Sequence, residues 1–306
     1  MLARSIRSSR LIGKREWQLW LLVLPAVVFF LVFHYAPMYG LVIAFKRYSV
    51  SKGIWESPWV GLMYFKRFFN SAQCWELIVN TLILSFYQLL VAFPPPLILA
   101  FMLNHTRAKW MKKSVQTITY APHFISLVVM TGMLTLFGSP SSGIINILIK
   151  RLGGQPIYFM AEPGWFRHVF VFSHVWQHTG YQAIIFLAAL TAVDVSQYEA
   201  ATLDGATKLQ KIRYIDLPAI VPTLVTVLLL QVGRMLNVDT QKVLLMQSAT
   251  NLSTSEIIGT YVYKIGLLNG QFSYSTAINL FQTVVNVVIL LFVNLVSSKL
   301  TGESLW

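Results

Sequence analysis

Long apolar runs with few charges are the feature that most constrains the fold of this chain. A helix that crosses the hydrocarbon core of a bilayer needs about 20 mostly apolar residues. Six windows satisfy this requirement, at residues 18–45, 77–103, 114–137, 168–193, 218–237 and 276–298. The 306 residues are 56% hydrophobic and only 11% charged, a balance outside the range of soluble domains of this size. The sequence therefore predicts an all-α polytopic membrane protein with about six transmembrane helices.

The basic residues beside these windows predict the orientation. Six spans place both termini on one side of the membrane. The short segment 104–113 between the second and third windows holds four basic residues, which is typical of a cytoplasmic loop. The basic N-terminus agrees, and the apolar stretch after it is too long for a cleaved signal peptide, so we interpret it as a retained signal-anchor helix. The predicted organisation is a cytoplasmic segment 1–17, a transmembrane domain 18–298 and a cytoplasmic tail 299–306.

Composition also excludes several functions. The net charge is +13, but the basic residues are scattered between apolar runs instead of forming the patch that nucleic acid requires. No nucleophile elbow, phosphate-binding glycine loop or metal-ligand cluster is visible, so neither an enzyme, a cofactor nor a metal site is expected in this chain. His174 and His178 lie four residues apart without a neighbouring carboxylate, which favours a cavity or packing role over metal binding.

The segment 194–218, between the fourth and fifth windows, has the pattern of a helical elbow. Ala200 and Ala201 favour helix and present a small-residue surface. Gly205 permits a backbone conformation that a side chain would hinder, and Pro218 is suited to the start of the next span. Such an elbow at the membrane surface is suited to docking into a groove of a cytoplasmic partner.

This elbow resembles the EAA motif of binding-protein-dependent ABC importer permeases. That motif reads Glu-Ala-Ala, three residues, Gly, nine residues, Ile, any residue, Leu, Pro. The matching positions are Glu199, Ala200, Ala201, Gly205, Ile215, Leu217 and Pro218. Asp204 lies within the same segment, and Leu209 stands where family members usually carry an aromatic residue that enters the ATPase groove. The resemblance implies a type I ABC importer permease fold in which segment 194–218 couples the spans to an ATPase.

Four further segments, 33–40, 176–181, 260–264 and 272–276, resemble the carbohydrate-uptake branch of this family, specifically permeases for complex oligosaccharides such as alginate or aldouronate fragments. The resemblance implies a bacterial inner-membrane importer in which this chain forms a heterodimer with a second, similar permease. It also implies two ATPase subunits and an extracytoplasmic solute-binding protein. ATP and Mg would be bound by the ATPase subunits, because this chain lacks a phosphate-binding loop.

Polar side chains inside the last three windows are candidates for the substrate pathway, because they are costly in lipid and tend to face a bundle interior or a water-filled cavity. They fall at comparable depth in the outer half of the membrane: His174, Gln177, His178, Tyr181, Gln231, Arg234, Asn279, Gln282 and Asn286. Amides and aromatic rings suit sugar hydroxyls and ring faces. The alternatives are hydrogen bonds that tie helices together and, for Arg234, an extension to the outer interface.

The sequence leaves two questions open, namely the energy source of transport and the surroundings of segment 255–268. An ion-coupled secondary sugar transporter would need acidic or histidine relays within the spans, and the carboxylates here lie outside the windows except near their ends. Apolar residues at helical spacing in 255–268 indicate either an amphipathic surface helix or a helix packed on neighbouring spans.

The outer segments hold more basic than acidic residues, which favours an anionic saccharide as substrate.

Overall fold

A computed structural model describes residues 17–302 and 304 of the chain. The predicted N-terminal segment 1–17, apart from the backbone of Trp17, and Glu303, Leu305 and Trp306 of the predicted tail lie outside the described residues. The described part is almost entirely helical and has only two isolated β-bridges. The predicted all-α fold class is confirmed.

The helices follow one another along the chain with short connections. The first half contains α1 (Trp17–Phe30), α2 (Gly53–Glu56), α3 (Met63–Phe69), α4 (Cys74–Ala92), α5 (Pro94–Asn104), α6 (Lys109–Tyr120), α7 (Leu127–Phe137) and α8 (Ile144–Arg151). The second half contains α9 (Pro163–Thr191), α10 (Val195–Leu203), α11 (Lys208–Lys211), α12 (Leu217–Val232), α13 (Thr240–Met246), α14 (Leu252–Ser255), α15 (Ile258–Tyr263) and α16 (Phe272–Thr301). Helical turns that are tighter or wider than an α-helix continue several of them, at Leu31–Tyr35, Tyr39–Phe45, Ala121–Phe124, Ile212–Asp216 and Lys264–Leu268, and a short α-helical turn lies at Ala36–Met38.

Between four and six membrane spans are present among the described residues. Four uninterrupted helical stretches are long and apolar enough, namely Leu19–Phe45, Cys74–Asn104, Lys208–Val232 and Phe272–Lys299. Two further stretches qualify only as bent pairs, α6 with α7 at 100° and α9 with α10 at 76°. The third predicted window is therefore broken. Pro122 lies in the turn that ends the first arm, and Ser126 caps the second arm by accepting from the Val129 amide.

The long helix α9 is the centre of the bundle and contacts α4, α5, α6 and α12. In one apolar cluster Ala183, Phe186 and Leu190 of α9 pack with Ala100 of α5 and Ile220 of α12. A second cluster, nearer the start of α9, joins it to α4 and α13. Two apolar layers thus fix α9 against α5 and α12 at one end and against α4 and α13 at the other.

The first helix has little contact with this bundle. None of the apolar window within Leu19–Phe45 is buried by the rest of the chain, although the turn Tyr39–Phe45 packs against α16. Apolar side chains exposed along a whole helix are compatible with lipid or with another membrane subunit as surroundings.

Segment 255–268 forms helix α15 and its continuation, and it packs on neighbouring spans. Ile258 and Ile265 are buried in a cluster with Leu77 of α4 and Ile278 of α16. Of the two alternatives drawn from the sequence, the packed helix is the one present, because these side chains face other helices instead of a free surface.

Gly180 marks a point of close backbone contact between α9 and α6. A Cβ atom added at Gly180 of α9 would lie 2.1 Å from the carbonyl oxygen of Thr119 in α6, whereas one added at Gly132 of α7 would meet nothing within 4 Å. Small residues permit such backbone contact between membrane helices. We therefore expect Gly180→Ala to destabilise the fold by about 1–3 kcal/mol. A thermal unfolding curve in detergent that is unchanged, or that matches that of the control Gly132→Ala, would contradict this packing.

Candidate coupling and translocation sites

The first half of the coupling segment is helix α10, which has strong start and stop signals. The Asp194 carboxylate accepts from the Ser196 amide at 3.0 Å, and this hydrogen bond holds the pKa of Asp194 below its usual range. Gly205 adopts φ 72° after the last turn. The Ala206 amide then donates to the Ala201 carbonyl at 2.9 Å, the pairing that closes a helix through a left-handed glycine. The predicted glycine break is present in the chain.

The second half of the segment starts immediately after this glycine. Thr207 and Gln210 cap α11 reciprocally, each side chain accepting from the other residue's backbone amide. The Lys211 ammonium donates to the Thr202 hydroxyl at 2.7 Å, which joins the second arm of the elbow to the first. Through the turn Ile212–Asp216, the chain continues directly into the fifth predicted span.

The elbow presents its residues to the outside of the chain. Leu203 at the end of α10 is 90% exposed and Leu209 in α11 is 74% exposed, so two leucines project where the arms meet. Most of the motif residues predicted from the sequence are exposed as well, namely Glu199, Ala200, Asp204, Gly205, Leu217 and Pro218, whereas Ala201 and Ile215 are half-buried. Exposed leucines on a polar segment are typical of a surface that binds a protein partner.

Asp216, which the sequence reasoning passed over, is fully buried beneath this elbow. It occupies the variable position of the motif, at the start of α12. His105 Nε2 lies 2.5 Å from one of its carboxylate oxygens, and the Tyr198 hydroxyl donates to the other. Asn104 in turn donates to the Tyr198 hydroxyl at 3.3 Å. An acidic residue two positions before the proline that starts a span was the available signal.

The environment of Tyr198 keeps its phenol neutral. Burial first, and then the hydrogen bond to Asp216, raise the pKa of Tyr198 to about 12. The hydroxyl therefore remains a donor to the carboxylate throughout the physiological pH range.

A polar cavity of about 500 Å³ lies between α4, α9 and α12. Three of the predicted pathway residues, His174, Gln231 and Arg234, line it together. Helix α12 ends at Val232, so Arg234 lies in the turn beyond the helix and not on its face, yet it borders the same cavity as Gln231. The cavity also contains polar residues that were not predicted: Ser85, Gln88, Gln182 and Asn237.

Three predicted pathway residues of α9 lie around the bend between α6 and α7. Gln177 is buried and donates to the Ile125 carbonyl at 2.9 Å, which ties α9 to that bend. His178 and His123 approach each other at 3.1 Å between their Nδ1 atoms. Tyr181 is half exposed and stacks on His123 with 3.9 Å between ring centres. These residues form an aromatic and histidine cluster outside the cavity lining.

The predicted residues of α16 have different surroundings. Gln282 and Asn286 are buried and donate to the carbonyl oxygens of Leu236 and Gly233, both at 2.5 Å. They satisfy the backbone where α12 unwinds, which is the helix-tying alternative. Asn279 is exposed and lines a separate cavity beside α13 and α15.

One buried cation lies close to the outer part of α9. Lys242 of α13 is 1% exposed, and its ammonium donates to the Phe170 carbonyl at 3.0 Å. The same ammonium lies 4.6 Å from the centre of the Phe170 ring. Burial lowers the pKa of Lys242 to about 8, an effect partly opposed by Asp239. Within the described residues no cluster of three or more potential metal ligands occurs.

Residues 77–302 match the family described as "Binding-protein-dependent transport system inner membrane component". The match includes the elbow and the cavity and extends over most of the chain, so the chain belongs to this family. It is a multi-pass inner-membrane permease component of a binding-protein-dependent transport system.

Two proteins of Bacillus subtilis are similar to this chain over almost its whole length. The chain is 43% identical to protein LplB of Bacillus subtilis (strain 168) over 293 residues, which cover 96% of this chain and 92% of LplB. It is 41% identical to the polygalacturonan/rhamnogalacturonan transport system permease protein YteP of the same organism, with 94% and 90% covered.

Two solved structures superpose on the chain with a TM-score of 0.87 at 39% identity. One is a bacterial ABC transporter involved in the import of the acidic polysaccharide alginate, with 95% of this chain and 99% of that chain covered. The other is a bacterial alginate ABC transporter in complex with an alginate pentasaccharide-bound periplasmic protein, with 95% and 98% covered.

Proposed function

We propose that this chain is the transmembrane permease subunit of an ATP-driven importer that moves an oligosaccharide from an extracytoplasmic binding protein into the cytoplasm by alternating access. The observation that carries the proposal is the elbow, in which Leu203 and Leu209 project from two capped helices that lead directly into the spans. A rigid segment of this kind is suited to transmit the closure of ATPase subunits to the bundle.

The partners are inferred from the family to which the chain belongs. The chain pairs with a second, similar permease, with two ATPase subunits beneath the elbows and with a solute-binding protein on the outer side. The complex of the alginate transporter with its loaded periplasmic protein supports the last of these. This chain itself performs no covalent chemistry, and ATP and Mg are bound by the ATPase subunits.

An anionic oligosaccharide is the substrate class that we propose. The cavity between α4, α9 and α12 offers amides for sugar hydroxyls and places the positive charge of Arg234 at its border. The similar alginate importer acts on an acidic polysaccharide, which supports this choice. His174, Gln231 and Arg234 are accordingly the pathway residues proposed first. His178, whose ring centre lies 4.3 Å from that of His174, positions His174.

ATP dependence tests the proposal against the ion-coupled alternative. The chain is tagged, co-purified with its partners from membranes and reconstituted in vesicles with ATP inside and loaded binding protein outside. We expect ATPase subunits to co-purify, and uptake to require internal ATP and to withstand a protonophore. Uptake that persists without ATP and collapses with the protonophore would instead identify a secondary transporter.

A further inference from the structure

Helix α10 is attached to the bundle through very few side chains. Every residue of α10 is exposed except Tyr198 and Ala201, which are half-buried. A helix with so little buried apolar surface gains little stability from packing. The Tyr198 hydroxyl connects it to the spans, because it donates to Asp216 of α12 and accepts from Asn104 of α5.

Asp216 joins three separate elements at this point. It belongs to the start of α12, His105 follows the end of α5, and Tyr198 belongs to α10. Both carboxylate oxygens are occupied, one by the His105 imidazole and one by the Tyr198 hydroxyl. The His105 side chain is only 15% exposed and that of Asp216 is not exposed at all.

We propose that Asp216, held between Tyr198 and His105, is a positioning residue that makes the coupling helix α10 and the cytoplasmic ends of α5 and α12 move as one body. This inference rests on the proposed function, because it assigns the route by which motion of the docked elbow reaches the spans. We refer to these three residues as the carboxylate joint.

The reason lies in the energetics of a buried carboxylate. Moving α10 away from α12 would remove a donor from a charge that water does not reach, which is far more unfavourable than separating exposed groups. Rotation of the elbow by an ATPase is therefore transmitted to α12 and α5 instead of being absorbed by a loose helix. The contact from Lys211 to Thr202 stiffens the elbow itself but does not reach the bundle.

The test removes one hydroxyl. Tyr198→Phe deletes the donor to Asp216 and keeps the ring, and Tyr158→Phe makes the same change at a tyrosine outside the coupling segment that is 55% exposed. Both variants are expressed with all partner subunits, and substrate uptake is normalised to the amount of co-purified ATPase subunit. We expect Tyr198→Phe to lower uptake per assembled complex by about tenfold and Tyr158→Phe to leave it unchanged.

The possible outcomes distinguish transmission of motion from the elbow to the spans from a role in folding or docking alone. Wild-type uptake per complex in Tyr198→Phe would overturn the proposal. A loss of complex with unchanged uptake per remaining complex, or a complete loss of assembly in Tyr198→Phe alone, would also overturn it, because the joint would then serve only folding or docking. If the wild-type preparation contains no ATPase subunit or shows no ATP-dependent uptake, the proposed function fails and not the joint alone.

A second variant changes the acceptor of the same hydrogen bond instead of its donor. Asp216→Asn keeps the size of the side chain but removes the charge, so that the separation of α10 from α12 no longer leaves a buried ionised group without its donor. We expect uptake per assembled complex to fall at least as far as in Tyr198→Phe. The double variant should be no worse than Asp216→Asn, since both changes break the same connection. Additive losses would contradict a shared route.

Discussion

Gly205→Val is expected to reduce ATP-driven uptake to a tenth or less of the wild-type rate, while the protein is still inserted in the membrane at normal levels. Gly205 has φ 72°, which costs about 1–2 kcal/mol for an ordinary L-residue and more for a β-branched one. To escape this strain, the elbow must lose the hydrogen bond from Ala206 to Ala201, so Leu203 and Leu209 no longer project together. An added Cβ meets nothing within 4 Å, so the bundle itself is not disturbed.

Gly302 provides the matched control. It follows α16 with φ 74° and also has nothing within 4 Å of an added Cβ. Gly302→Val therefore introduces a similar local strain away from the coupling segment, and uptake should stay near wild type. The measurement is ATP-dependent uptake normalised to the membrane content of the chain. Equal losses in both variants would mean that backbone strain alone, and not the elbow, explains the effect.

Removal of the charge at Arg234 is expected to lower the uptake of anionic oligosaccharides about tenfold, while neutral oligosaccharides of the same length change little. The side chain borders the polar cavity, where a hydrogen bond from a guanidinium to a carboxylate contributes about 1.5–3 kcal/mol. Arg234→Gln keeps a polar side chain but shortens it and removes the charge. Uptake is measured at a fixed concentration of loaded binding protein in vesicles.

Arg151 supplies the comparison for this substitution. It is the last residue of α8 and is exposed outside the cavity. Arg151→Gln removes the same charge from the chain, so any general effect of net charge on encounter rate appears in both variants. A similar loss for neutral and anionic sugars in Arg234→Gln, or an equal loss in Arg151→Gln, would contradict a saccharide-binding role of Arg234.

The elbow was predictable because its signals are local. Asp194, Gly205 and Thr207 act on amides within a few residues along the chain, so their types and spacing already determine where the helices begin and end. The apolar windows were predictable for the same reason. The bends of 100° and 76° were not, because hydropathy reports length and polarity but not direction.

The pathway residues could be predicted only in part, because polarity within a span does not say which way a side chain faces. The same reasoning that selected His174 also selected Gln282, which the fold uses to satisfy the backbone of residue 236. Gln88 was missed because only the last three windows were considered for the pathway. Asp216 and Lys242 became buried through contacts between segments far apart in the chain.

Docking of the elbow onto an ATPase is the central claim, and a cysteine cross-link at Leu209 tests it most directly. Cys74, the chain's own cysteine, is buried, so a thiol reagent reaches it poorly. Leu209 is 74% exposed, so cysteine replaces it in the variant Leu209→Cys. The control is Leu152→Cys, because Leu152 is 79% exposed on the predicted outer side. We expect a thiol cross-linker to join Leu209→Cys, but not Leu152→Cys, to a nucleotide-binding subunit in membranes from cells that express the whole transporter. The absence of this adduct, or its formation from Leu152→Cys, would contradict the account.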